Sequence, residues 1–244
     1  MPSQTKISFV LSFIAGFVDT AGFIALFGIF TAHITGNLVL AGTVLFNEGT
    51  TGNLAGKLLM IPVFMASVLF SGYIIKYRKA SVRHLVLAES VFLTCFALAG
   101  SYLLYNKANP PDGVVALVAS FAVIGMAIQT TYMREQLGGY TPSTVMTGNI
   151  TQFSIDLFNI ADYHLSKKAK NTEDEKATVR SLQKISTALT GFSTGCVSGA
   201  FLVKYTGLIC CILPAFLLLW VFKQMKFKTQ QENISTKTIK TGSV

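Results

Sequence analysis

The sequence predicts an all-α, polytopic membrane protein with six transmembrane helices and two short re-entrant or broken helices, arranged as two inverted repeats. Three observations predict this fold class: an apolar composition, long runs with few charges, and a tripeptide that occurs twice in matching places. Of the 244 residues, 51% are hydrophobic and 13% are charged, whereas a soluble domain carries about 25% charged residues. This composition is typical of a membrane protein.

Several apolar runs are long enough to cross a bilayer as helices. About 20 residues span the hydrocarbon core of roughly 30 Å, and a window with few charges marks such a segment. Hydrophilic or turn-forming residues separate the runs, as in NEGTTGN and NKANPPDG. The predicted spans cover residues 7–30, 54–75, 84–105, 113–133, 182–203 and 207–222.

The distribution of basic residues indicates the orientation of the chain. The formal net charge is +9. With the amino terminus in the cytoplasm, all Lys and Arg residues except Lys57, Lys107 and Lys204 fall on one side. Cytoplasmic loops carry such an excess, so we expect both termini to be cytoplasmic. The basic groups are also expected to meet membrane lipids through anionic headgroups. No nucleic acid is expected as a partner, because no binding module accompanies the charge.

The cysteines indicate neither a disulfide framework nor a metal site. All four lie in predicted spans, without CxxC or other metal-ligand spacing, and a cysteine there behaves as a small hydrophobic residue. No HExxH zinc motif occurs, and no pair of nucleophile and base can be named. We therefore expect a protein that is not an enzyme, with no catalytic residues, no metal and no cofactor.

The tripeptide Thr-Gly-Asn occurs at residues 35–37 and again at 147–149, each time after a long span and before a short apolar segment. The short segments, residues 38–46 and 150–160, would cover about 15 Å as helices, half of a bilayer. Two full spans follow each of them. The chain is thus predicted to contain two repeats, residues 1–112 and 113–222, and then a polar, disordered cytoplasmic tail at 223–244.

The number of crossings in each repeat decides how the repeats are related. Three full crossings make the repeats inverted, because the second repeat must enter from the opposite side. Inverted repeats with broken helices are an architecture of membrane transporters. If the short segments crossed fully, giving eight helices, the basic segments at 76–83 and 167–180 would lie on opposite faces. The positive-inside pattern disfavours that alternative.

Each Thr-Gly-Asn turn is expected to bind a ligand at the start of its short helix. A threonine can cap the helix, a glycine permits a sharp bend or a close approach, and an asparagine offers donors and an acceptor. With the helix dipole, these groups form a cradle for an anion or a polar ligand. The alternative is that the turns only cap and pack bent helices. The candidate substrate-binding residues in the turns are Thr35, Gly36, Asn37, Thr147, Gly148 and Asn149.

Polar residues near the first turn extend the candidate site. Asp19 lies within the first span, where an unpaired carboxylate is costly. It is expected to bind a proton or cation, or to serve as a structural hydrogen-bonding group. Gln129 occupies the corresponding part of the second repeat. His33, just before the first turn, is expected to relay protons or sense pH, or to be an ordinary loop histidine.

Other polar and small residues are assigned to interfaces. Glu89 is predicted to snorkel toward the basic loop at 76–83, and Asp156, Arg134 and Glu135 are predicted to lie at the membrane interface. Small residues form faces on two spans, where helices can approach closely. They are expected to pair the halves of one molecule or to form a homodimer. These small residues are Ser67, Ser71, Gly72, Gly195, Gly199 and Ala200.

Two segments resemble a known family. GFVDTAGFIALFGIFTAHITGNLVLAG from Gly16 and GMAIQTTYMREQLGGYTPSTVMTGNITQF from Gly125 are similar to the YoaK-like bacterial integral membrane family, whose members carry a domain of unknown function. The resemblance extends to about Phe222. It implies a polytopic protein of the bacterial inner (cytoplasmic) membrane and assigns no activity.

The sequence favours a carrier among three functions. The repeats and the intramembrane polar residues predict a secondary transporter of a small polar or anionic solute, with its site at the paired Thr-Gly-Asn turns. A non-transporting scaffold or sensor, which would use the polar tail, is the alternative. A lipid-acting intramembrane enzyme is less favoured, because acidic and imidazole groups alone are weak evidence for catalysis.

Overall fold

The structure is a computed structural model that describes residues 2–46, 54–106, 110–165 and 172–225. Within these ranges the chain is helical and contains no strand. A short 3-10 segment, Gly207–Cys211, joins the last two helices. The helices are α1 (Pro2–Ala25), α2 (Ile34–Phe46), α3 (Leu54–Arg78), α4 (Val82–Asn106), α5 (Asp112–Glu135), α6 (Met146–Leu165), α7 (Thr172–Thr206) and α8 (212–225).

Five helical stretches of the described chain are long and apolar enough to cross a membrane. The fifth, Glu173–Met225, has 53 residues, about 80 Å if straight and more than twice the hydrocarbon thickness. It turns back at Gly207, which has a φ of +63°, a conformation that glycine adopts without strain. Thr187 of α7 and Trp220 of α8 consequently line one groove. The all-α membrane fold is confirmed at this level.

The helix after the second Thr-Gly-Asn is longer than predicted. The segment 150–160 was expected to be a stub, but α6 has 20 residues and measures about 30 Å. The first short helix, α2, has 13 residues. The prediction was wrong for α6 because it took the apolar run as the whole helix. Such a run marks only the part of a helix that can face lipid. The helix includes residues 146–149 before that run and 161–165 after it, among them the polar Asn149 and Asp162.

Glycines on α7 bring that helix against α1 with both running in the same direction. A Cβ at Gly191 would lie 2.5 Å from the carbonyl oxygen of Phe9, and one at Gly199 would lie 2.6 Å from that of Phe17. Gly195, between them, faces the carbonyl of Phe13 in the same way. These small residues therefore pair helices within one molecule, one of the two roles expected for them.

Helices α4 and α8 pack in opposite directions. Near the end of α4, Gly100 faces Leu208. Near its middle, the Ser90 hydroxyl donates to the carbonyl of Ala215 at 2.9 Å. At its start, the Arg83 guanidinium lies 4.8 Å from the centre of the Phe222 ring. Residues later in α4 therefore contact residues earlier in α8, which makes the two helices antiparallel.

Basic side chains gather at one end of the bundle. Lys184 donates to the carbonyl of Gly139 at 3.3 Å, and Gln136 donates to the carbonyl of Ala80 at 2.7 Å. Lys57 lies at the opposite end, where it donates to the carbonyl of Phe27 at 3.3 Å. The structure therefore keeps the charge asymmetry expected from the sequence. Of the predicted tail, 223–225 continue α8, and 226–244 lie outside the described residues.

Candidate functional site

The loop after α1 folds back along that helix. Phe27 and Gly28 have φ values of 55° and 81°, in the left-handed region that reverses a chain. Thr31 then packs against α1 at Gly22, where a Cβ would meet its side chain at 2.7 Å. The first span was predicted to continue to residue 30, but α1 ends at Ala25, because these two turn residues break it.

Asp19 holds the returning loop in place. Its Oδ1 accepts backbone N–H groups from Thr31 at 2.8 Å, Ala32 at 2.6 Å and His33 at 3.3 Å. Its Oδ2 lies 2.6 Å from Nδ1 of His33. Asp19 is six residues before the end of α1, so these contacts draw the loop about 9 Å back from that end. The N–H groups ahead of α2 are thus already occupied by a carboxylate of the same chain, and the acid stabilises the loop.

Asn37 closes the loop from the other side. It accepts the N–H of Phe30 and donates to the carbonyl of the same residue, both at 2.8 Å. Gly36 is required beside it, because a Cβ there would lie 2.8 Å from the Phe30 ring. Thr35 is the second residue of α2, so the prediction that it is the N-cap was wrong. The loop is closed by the asparagine side chain.

The second loop is held by the same device with different partners. Asn149 donates to the carbonyl of Pro142 at 2.8 Å, and Gln129 donates to the Ser143 hydroxyl at 2.6 Å. Gln129 also donates to the carbonyl of Leu11 on α1 at 2.9 Å. Thr147 is again the second residue of its helix, so it is not an N-cap either. Gly148 is less constrained than Gly36, since a Cβ there would approach only Val145, at 3.4 Å.

The two asparagines should differ in their contribution to stability. Asn37 bonds to both the N–H and the carbonyl of Phe30, whereas Asn149 faces Pro142, which has no N–H. We expect Asn37→Ala to lower the free energy of unfolding by about 2 kcal/mol and Asn149→Ala by about 1 kcal/mol, since a net hydrogen bond contributes about 1 kcal/mol. Thermal unfolding of both variants in one detergent measures the difference. Equal losses would contradict this account.

A cavity of about 600 Å³ lies where the starts of α2 and α6 converge. Residues from both helix starts line it, together with the last turns of α5 and the middle of α3. Arg134 and Glu135 are exposed, so the cavity reaches the surface beside the end of α5. The polar side chains in its wall include His33, Thr35, Thr130, Thr144, Arg134 and Thr147.

The structure divides the nine predicted site residues into two groups. His33, Thr35 and Thr147 line the cavity. The other six do not line it, and all of them except the exposed Gly148 make contacts that shape the two loops; they are Asp19, Gly36, Asn37, Gln129, Gly148 and Asn149.

Sequence reasoning missed several residues of the cavity wall. Thr130 and Thr144, whose hydroxyls lie 3.1 Å apart, were not singled out. Arg134 and Glu135 were predicted to lie at the membrane interface, and their place in the cavity wall was not foreseen. The signal that could have found Thr130 is the run of polar residues 129–131 inside a largely apolar span. Thr144 lies outside that span.

Two acidic residues are placed differently from their predictions. Glu89 is fully buried, and its Oε2 accepts the Tyr132 hydroxyl at 2.8 Å. It does not snorkel to the basic loop, because its side chain points between α4 and α5. Asp156 lies in the middle of α6, 4% exposed, and accepts a hydrogen bond from Gln152 at 2.8 Å. It is thus buried within the protein, in the middle of its helix and not near a helix end.

Residues 191–195, GFSTG, have the GxSxG spacing of serine hydrolases. That motif acts on a sharp turn between a strand and a helix. Here the five residues lie inside α7, with Gly191 and Gly195 packed against α1. The glycines therefore serve helix packing, and the serine is not presented on a nucleophile elbow.

Long apolar helices, together with polar side chains buried between them, define a polytopic integral membrane protein. The chain belongs to the family described as "Protein of unknown function (DUF1275)", which matches residues 7–223. It is similar to the "UPF0700 transmembrane protein YoaK" of Bacillus subtilis (strain 168), with 26% identity over 174 residues, 71% of this chain and 74% of that protein. No solved structure matches it. The family resemblance inferred from the sequence is confirmed.

Proposed function

We propose that this protein carries a small polar or anionic solute across the bacterial inner (cytoplasmic) membrane. The observation that carries the proposal is the cavity of about 600 Å³ lined by the starts of both α2 and α6. Its volume suits a small ligand, since such sites measure about 300–1,000 Å³. Carriers with repeated halves hold their solute where broken helices from the two halves meet.

Six crossings and inverted repeats form part of the proposal. If α2 and α6 do not cross, α4 and α8 cross in opposite senses; if both cross, α4 and α8 cross in the same sense. The opposite directions of α4 and α8 support the first arrangement. The basic end of the bundle is then cytoplasmic, with both termini there.

The chemistry of the cavity wall supports a polar or anionic solute. The exposed hydroxyls of Thr35 and Thr147 provide donors and acceptors, and Arg134 provides a fork of N–H donors suited to a carboxylate or phosphate. Phe64 and Val68 of α3 form an apolar wall. The start of α6 adds the positive end of a helix dipole.

Ligand-dependent stabilisation of the purified protein tests this site. Carboxylates, phosphate esters, sugars and amino acids would be screened for a rise in melting temperature, and active compounds tested for flux into proteoliposomes. We expect Thr147→Val to weaken binding about tenfold, the equivalent of one hydrogen bond of about 1.4 kcal/mol. Thr151→Val is the matched control, because Thr151 lies one turn further along α6 and bonds within its own helix.

Two results would contradict the carrier. Equal losses of ligand binding in Thr147→Val and Thr151→Val would show that the cavity is not the binding site. Binding without flux under any gradient would instead favour the alternative, a membrane sensor or scaffold. Product formation in detergent, without a gradient, would favour an enzyme.

A further inference from the structure

The imidazole of His33 is held in one orientation at the cavity wall. Its Nδ1 lies 2.6 Å from Oδ2 of Asp19, and its ring meets Phe192 of α7 edge-on, with centroids 5.5 Å apart. The side chain remains 34% exposed and lines the cavity. With Nδ1 engaged by the carboxylate, Nε2 is the ring nitrogen left to exchange a proton with the cavity.

Asp19 is arranged as a fixed acceptor for that ring. The backbone N–H groups of three successive residues donate to its Oδ1, which complements a negative charge on the carboxylate. Asp19 is only 4% exposed, so water does not compete for Oδ2. The neutral imidazole then carries its hydrogen on Nδ1, and Nε2 is left as the basic nitrogen of a ring that lines the cavity.

We infer that Nε2 of His33 is the proton-binding site of the carrier and that a proton enters together with an anionic solute. Asp19 is the positioning residue for this site. The inference rests on the proposed carrier function, because it names the coupling ion of that same cavity. The proton passes from cavity water to Nε2, which gives an imidazolium, and returns to water when the solute leaves.

Uptake of one proton together with a monovalent anion leaves the total charge of the cavity unchanged, although the His33 imidazolium itself is offset by the Asp19 carboxylate. Arg134 and Glu135 of α5 are its charged wall residues besides His33 in the described chain, and their formal charges cancel. Protonation of His33 adds one positive charge to the wall. Of the other neighbours, α3 contributes Phe64 and Val68, and α6 contributes uncharged residues. On α7, the Cys196 thiol interacts electrostatically with Asp19, behind the wall.

The hydrogen bond to Asp19 raises the pKa of His33, while its partial burial opposes the shift. His33 lies in the loop between α1 and α2. Since the pKa is raised, the extra stability of the protonated pair is fully present below the ordinary pKa of histidine, and it is lost as the pH rises through the raised value. Removing the Asp19 charge should lower the pH at which the proton leaves.

Nuclear magnetic resonance of the full-length protein with labelled histidine tests the site directly. The chain contains three histidines, and His33→Gln assigns the signal. The exposed His84, whose Nδ1 lies 2.9 Å from the Ser81 hydroxyl, is the control. Between pH 5 and 9 we expect His33 to titrate above the ordinary value for a histidine. Asp19→Asn should lower the His33 midpoint by about one pH unit, the smaller end of the effect of a nearby opposite charge.

Two outcomes of this titration would overturn the site. One is a His33 midpoint that is not raised above the ordinary value for a histidine or that does not change in Asp19→Asn. The other is a neutral wild-type His33 that carries its hydrogen on Nε2. The second readout needs no variant, so it holds even if Asp19→Asn does not fold.

Cysteine accessibility tests whether the proton is coupled to movement. Thr35→Cys, in a chain whose four native cysteines are replaced by alanine, would be labelled with an impermeant maleimide at pH 5.5 and 8. The thiolate is the reacting form and its fraction rises with pH, so each rate is divided by that of the exposed reference Thr151→Cys in the same background. We expect this ratio to change at least threefold between these pH values, and His33→Gln to abolish the change. A pH-independent ratio would overturn the coupling. Failure of solute flux with a positive titration would reject the carrier and leave the proton site standing.

Discussion

Replacement of Gly195 by leucine should cause one of the two largest losses of stability that we expect in this chain. A side chain at Gly195 would collide with the backbone carbonyl of Phe13 on α1, and a backbone cannot rotate away as a side chain can. Overpacking usually costs about 1–3 kcal/mol. We expect at least about 3 kcal/mol here, because α1 and α7 are in contact along their length. Thermal unfolding in detergent, followed by circular dichroism, measures the loss.

Gly72→Leu is the matched control for the Gly195 variant. Gly72 also lies in a long apolar helix, α3, but a Cβ there meets nothing within 4 Å in the described chain. Its replacement should leave the melting temperature unchanged or slightly raised, since glycine is a poor helix residue. If Gly195→Leu unfolded at the same temperature as Gly72→Leu, the close parallel packing of α1 and α7 would be wrong.

Replacement of Asp19 by alanine should cost about 3–5 kcal/mol, since each buried donor left unsatisfied costs about 1–3 kcal/mol. The variant leaves the N–H groups of Thr31, Ala32 and His33 without their acceptor. The loop should then detach from α1, and the part of the cavity wall that it forms should be lost. We expect lower yield, a lower melting temperature, and faster maleimide labelling of a cysteine placed at Thr35.

Asp156→Ala is the control for the Asp19 variant. Both aspartates are 4% exposed, but Asp156 accepts a hydrogen bond from Gln152, and its second oxygen has no partner in the described chain. Its replacement should cost about 1 kcal/mol, the value of one hydrogen bond. Similar losses from both replacements would show that Asp19 does not anchor the loop.

The membrane class and the two turns could be predicted because both depend on local sequence. A helix that crosses hydrocarbon must be apolar over about 20 residues, and a Thr-Gly-Asn tripeptide is visible wherever it occurs. The length of α6 was mispredicted for a related reason. A helix needs apolar residues only where it meets lipid, so hydropathy reports depth in the membrane and not where a helix ends.

The roles of individual polar residues could not be predicted, because their partners come from distant parts of the chain. Glu89 was expected to seek a basic neighbour in sequence, yet it is bonded to Tyr132 on another helix. Asn37 was expected to face a ligand and is bonded to Phe30. Whether a polar group faces a cavity or a neighbouring backbone depends on how the helices are placed relative to one another. The periodicity of apolar residues in the sequence does not give that arrangement.

The sequence by itself determined the membrane character of the chain, its family and the places where α1 and α5 are followed by returning loops. Local composition suffices for the membrane character, because the bilayer excludes unpaired polar backbone and charge. The family is visible from its two characteristic segments. Only the tertiary structure decided which side chains close those loops and which line the cavity. Asp19 and His33 are 14 residues apart, and Gln129 and Leu11 are 118 apart. Such pairs form only once the helices have packed.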